Sequence, residues 1–261
     1  MSIVQVFFYS LVMSQQKLER LKNSYLDISD NFEIGWNIFL EQKNNLLWFL
    51  LILNLPIAII EQFVPDPDPQ GGFDSPFIIP FFIVAMLIGI IINLAIHILT
   101  EKSIMQESSQ AIFTLKKVSS KVLIALLTGI LFFIMVFLGS LFFLIPGIYL
   151  GVIFAFFTEA IALRNCQLDA FNYSRNLVKG QFWKVFGRLL ILGVSLVILV
   201  LFITVPIGFI SVVLNNLPII SFIISVISSL IIVAINYLFV IIFTVYFLNL
   251  DYLRNGLPQR V

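Results

Sequence analysis

Residues 122–163 read VLIALLTGILFFIMVFLGSLFFLIPGIYLGVIFAFFTEAIAL, and the only charged side chain among these 42 residues is Glu159. A buried helix in a soluble domain seldom stays apolar for so long, whereas a membrane span needs about 20 apolar residues. The run is interrupted once, at Pro146-Gly147, and so reads as two spans, 122–145 and a shorter 148–163, joined by a very tight turn. Apolar residues follow one another without alternation, which selects helices over a barrel. A helix satisfies its backbone within each span.

Working outward, the same pattern recurs at 46–63, 77–99, 185–210 and within 219–250, giving six spans. The last is long enough to include a tilt or an interfacial extension. Composition agrees: 60% of residues are hydrophobic and only 11% charged, against about 25% charged in a soluble domain. The expected fold is an all-alpha, polytopic membrane helix bundle, one integral domain over residues 1–261. The apolar start, residues 3–13, lacks the basic flank and small-residue cleavage site of a signal peptide and reads as an interfacial or packed segment.

The connections differ sharply in charge. Pro65-Asp66-Pro67-Asp68-Pro69-Gln70-Gly71-Gly72, Pro146-Gly147 and Asn215-Asn216 with Pro218 contain no lysine or arginine. All 15 basic residues fall in or beside the remaining segments, Arg188 just inside the fifth span, on one side of a six-span chain. The positive-inside rule makes that side cytoplasmic, with both termini there.

Each basic segment also carries helical periodicity. Asp30 and Glu33 have capping-box spacing ahead of Phe32, Trp36, Phe39 and Leu40 on one face. Met105, Ile112 and Leu115 align within 103–119; Ala170, Phe171, Ser174, Leu177 and Val178 align in the third segment. Three cytoplasmic-side amphipathic helices are therefore expected, and the chain divides into repeat units 27–100, 101–163 and 164–253. Lys43, Lys116, Lys117, Arg175, Lys179, Trp183 and Lys184 are the expected lipid-headgroup or interface residues. Trp36 and Trp48 fit the same interfacial role.

The third unit carries a resemblance. Pro146-Gly147-Ile148-Tyr149-Leu150, then Asp169-Ala170-Phe171-Asn172-Tyr173-Ser174 and Gly180-Gln181-Phe182-Trp183, resemble bacterial YciC-like six-span membrane proteins and the membrane domain attached to some glycerophosphodiester phosphodiesterases. Phe171 stands where those proteins usually have leucine. The resemblance implies a membrane domain with six spans, and a bacterial inner membrane as its expected location. No soluble phosphodiesterase domain lies within these 261 residues, so catalysis is not carried over with it.

Four polar residues within the spans form the candidate intramembrane site: Asn93, His97, Glu159 and Asn236. An ionisable group inside a span is costly unless paired or hydrated. Glu159 lies five residues before Arg164, which suggests contact with a basic neighbour near the headgroups; a substrate or ion site is the alternative. Asn93 and His97 share a helical face, and His97 is either structural or a proton-sensitive group. Asn54 and Asn236 have the chemistry of interhelical hydrogen bonds. Pro56, Pro146 and Pro206 are expected to break helices where the chain turns. Asp66, Asp68 and Asp74, with Glu61, read as an acidic outer loop without metal-ligand spacing.

One cysteine, one histidine and a net charge of +1 provide no basis for a disulfide, a cysteine or histidine metal cluster, or a nucleic-acid surface. No nucleotide loop, serine elbow or zinc-protease motif appears. The expected function is a noncatalytic inner-membrane domain that binds lipids or organises an envelope-related complex. No cofactor is expected; the expected partners are membrane lipids and another membrane protein. The alternative is a transporter or permease-like protein for a lipid or small solute.

Overall fold

A computed structural model describes residues 18–64, 77–107, 110–213 and 217–257. The expected N-terminal segment at 3–13, the Asp-Pro loop with Asp74, Asn215-Asn216 and Arg260 lie outside the described residues. Among the described residues the chain is helical, and six helical stretches are long and apolar enough to cross a membrane.

Helix α1 (Ile28–Glu41) leads into span one, α2 (Lys43–Glu61). Span two is α3 (Ile78–Met105), followed by the short α4 (Ala111–Ser119), and span three is α5 (Val122–Phe142). Span four is divided into α6 (Leu144–Ile153) and α7 (Phe157–Arg164). After α8 (Ala170–Val178) come span five, α9 (Phe182–Val213), and span six, α10 (Pro218–Asn255).

The even-numbered spans form the interior. Span four is the most enclosed and span five the least. The exposed apolar side chains of spans three and five, such as Phe133, Leu141, Val197 and Phe202, form an outer surface suited to lipid. Helix α1 packs on α10 through Asn31, Ile34, Gly35 and Ile38. A Cβ on Gly35 would lie 2.5 Å from Ile242 Cγ1. Trp36 and Leu40 point away from this contact and are exposed. The N-terminal residues are tied to span six by buried Asn249, whose Nδ2 donates to the Leu21 and Ser24 carbonyls at 3.0 and 2.9 Å and whose Oδ1 accepts from Leu26 N–H at 3.1 Å.

Several local expectations need correction. Helix α1 begins at Ile28 with Asp27 before it, so Asp30 lies in the first turn and forms no cap; it is 3.9 Å from Arg20. Segment 103–119 is not one helix, because Gln106 takes a left-handed conformation (φ 60°) that ends α3. The turn between spans three and four is at Phe143, and Pro146 lies in the first turn of α6, where its missing N–H would have no helical partner. Gly147 is needed for the close approach of α5: a Cβ there would lie 2.9 Å from Ser140 Cα. Pro206 is inside α9, which continues to Val213. Pro56 also lies within a span, just after a π-helical stretch, Phe49–Asn54. A wider turn of this kind accommodates a proline that cannot donate to the preceding turn.

Candidate functional site

The break in span four builds the site. Helix α6 stops at Ile153, residues 154–156 form turns, and α7 restarts at Phe157. Such a break leaves backbone groups without helical partners. Ser174 of α8 answers two of them: its Oγ accepts from Phe156 N–H at 3.1 Å and donates to the Ile153 carbonyl at 2.9 Å. Phe156 packs its ring against Phe243, Tyr246 and Phe247 of α10. The restarted helix thereby presents Phe157, Thr158 and Glu159 to the bundle interior.

Glu159 is 1% exposed. Its Oε2 accepts from Thr158 Oγ1 at 2.9 Å, while Oε1 has no hydrogen-bond partner among the described residues. His97 Nδ1 lies 3.7 Å from Oε1, within ion-pair range but too far for a hydrogen bond. The same Nδ1 is 2.7 Å from Thr244 Oγ1. Thr244 donates its hydroxyl proton to the Val240 carbonyl at 2.6 Å, so it accepts from His97 Nδ1–H. In a neutral ring this leaves Nε2 as an acceptor. Glu159 therefore does not have the basic partner suggested by Arg164.

Arg164 belongs to a second polar layer. Its Nη1 donates to Glu101 Oε1 and its Nε to Asp251 Oδ2, both at 2.7 Å. Tyr173 donates its hydroxyl to Asp251 Oδ1, and Asn255 Nδ2 donates to the same oxygen at 2.8 Å. Burial and the Asp251 carboxylate push the Tyr173 phenol above its ordinary pKa. Each even-numbered span thus gives one residue to each layer: His97, Glu159 and Thr244 to the first, Glu101, Arg164 and Asp251 to the second. Glu101, Arg164 and Asp251 were not singled out as a group from sequence. The available signal was that each is the first charged residue after an even-numbered apolar run.

The first layer is one end of a partly open cavity of about 800 Å³. Asn93, His97, Glu159 and Asn236 all line it, so the structure brings the four sequence-predicted residues to one wall. Asn93 donates to the Gly89 carbonyl at 2.9 Å. Asn236 is exposed on the cavity wall rather than bonded across helices. Asn54 does bridge helices: its Nδ2 donates to the Phe49 carbonyl and to Tyr237 Oη. The rest of the described lining is almost wholly apolar, with no lysine or arginine. Spans three and five have little direct contact beside the cavity, and Ile130 and Phe133 are exposed at its edge. Gly129 and Gly193 line it as well, and a Cβ on either would meet nothing within 4 Å.

The seven expected interface residues, Lys43, Lys116, Lys117, Arg175, Lys179, Trp183 and Lys184, are all exposed and lie away from the cavity wall. Lys184 Nζ stands 5.3 Å from the Tyr25 ring centroid.

Six apolar helices, five of which line a cavity, define a multi-pass helical membrane protein. No family model, curated protein or solved structure matches the chain.

Proposed function

We propose that this chain is a noncatalytic membrane protein that holds an amphipathic lipid or lipid-like molecule within the bundle. The cavity is the observation that carries this reading. Its volume of about 800 Å³ lies within the ~300–1,000 Å³ range of ligand pockets. Its apolar wall suits an alkyl chain, and its few polar groups suit one headgroup. Passage across the membrane is the weaker reading, because the lining residues of spans two, three and five are confined to 86–97, 125–133 and 189–196 and stop short of one end of each span.

Native mass spectrometry of full-length protein extracted in mild detergent tests the reading. One bound amphiphile is expected per wild-type chain. It should be lost from the doubly substituted Gly129→Phe, Gly193→Phe protein, whose new rings fill open space and leave the unfolding temperature unchanged or higher. Equal occupancy in the two proteins would reject the cavity as the lipid site.

The proposed setting is a bacterial inner membrane with both termini and α1, α4 and α8 on the cytoplasmic side, the three short helices lying against the headgroups. The support is the one-sided distribution of basic residues. A membrane-impermeant maleimide applied to intact cells should label Phe63→Cys and spare Lys117→Cys until the cells are opened. Cys166 adds little background, since burial and Asp169 raise its thiol pKa. The reverse labelling pattern would invert the orientation.

A further inference from the structure

Resting on the proposed lipid cavity, the chemistry of its closed end restricts the headgroup. We propose that the cavity takes a single-chain amphiphile whose headgroup is a hydrogen-bond donor without negative charge, a protonated amine or a hydroxyl, placed on Glu159 Oε1. Its chain lies along the apolar wall, and it enters from the surrounding lipid between α5 and α9.

Glu159 Oε1 is a buried carboxyl oxygen that receives no hydrogen bond from the described residues. A buried polar group in that position gains from any donor that reaches it. The nearby groups do not supply one: the Thr158 hydroxyl serves Oε2, and the His97 Nδ1 proton serves Thr244. The closed end is thus rich in acceptors. It is also poor in cations, because no lysine or arginine is among the described lining residues and Arg164 is engaged by Glu101 and Asp251. An anionic headgroup would be buried against the Glu159 carboxyl group with no lysine or arginine on the described wall to compensate its charge. A donor headgroup meets a partner, and a site built this way rejects ligands through unpaired or like-charged groups as well as by lost contacts.

The route follows from the wall. Gly129 on α5 and Gly193 on α9 border open space, and these two spans make little direct contact there. An alkyl chain can therefore pass from lipid into the cavity without crossing a polar barrier.

Photocrosslinking of the full-length protein in nanodiscs tests the assignment. The probes are three diazirine-bearing amphiphiles of equal chain length: an alkylamine, an alkanol and a fatty acid. The amine and alkanol should crosslink within 86–97, 125–133 or 189–196, and the fatty acid about tenfold less or weaker. Glu159→Gln should reduce amine labelling by about tenfold while leaving alkanol labelling within a few-fold, because an amide oxygen still accepts from a hydroxyl. The three-probe comparison on wild-type protein stands even if that variant folds poorly. Fatty-acid labelling equal to that of the amine would overturn the headgroup assignment and leave the lipid-cavity reading standing. Absence of labelling in these segments by all three probes would overturn both.

Discussion

Arg164→Leu is expected to destabilise the folded chain by about 3–5 kcal/mol, the cost typical of removing one partner from a buried ion pair. Arg164 is the only basic side chain bonded to either carboxylate in this cluster among the described residues. Its loss strands Asp251, whose side chain is 1% exposed, and leaves Glu101, at 17%, without its cation. Denaturant unfolding in detergent micelles measures the loss. Arg164→Lys should recover only part of it, since an ammonium lacks the planar fork that reaches two carboxylates from different nitrogens. Adding Glu101→Gln and Asp251→Asn to Arg164→Leu should restore stability relative to the single variant, because the stranded charges are then gone. An Arg164→Leu protein as stable as wild type would show that the cluster does not hold the three spans together.

Ser174→Ala should cost about 1–3 kcal/mol for each of the two backbone groups it leaves unanswered. The methyl side chain fits a position that is fully buried, so the loss isolates the hydroxyl. Without Oγ, Phe156 N–H and the Ile153 carbonyl lose their partners across the break in span four. Amide exchange at Phe156 should quicken together with the fall in unfolding temperature. Because Glu159 is three residues beyond Phe156, the same substitution should weaken retention of a bound amphiphile. Unchanged exchange at Phe156 would mean that the break is satisfied without Ser174.

The physical basis of what sequence revealed is visible in these residues. Span number follows from apolar length, and a run such as 185–210 leaves few alternatives once helices are required. Span ends are harder to read. Proline marks a turn only statistically: Pro146 fits the first turn of α6, and α9 passes through Pro206. Glu159 stood out because a carboxylate inside an apolar run is conspicuous, yet its nearest basic residue in sequence is not its neighbour in space. Arg164 instead meets Glu101 and Asp251, 63 and 87 residues away, and no local pattern encodes such separations. In the sequence Ser174 is one member of the face it shares with Ala170, Phe171, Leu177 and Val178; its hydrogen bonds appear only when the broken helix is set beside it.

The placement of Asn249 and Asp251 near the end of span six sets an order of assembly. A chain emerging from the ribosome delivers Glu101 and Arg164 well before Asp251, and it delivers Leu21, Ser24 and Leu26 long before the Asn249 that receives them. Until the sixth helix is inserted, residues 21–26 have only Lys184 and Arg188 of span five to hold them, and the interior charge cluster lacks one carboxylate. A chain halted before span six therefore leaves the Leu21 and Ser24 carbonyls and the Leu26 N–H without the side chain that joins them, and leaves Arg164 short of one carboxylate.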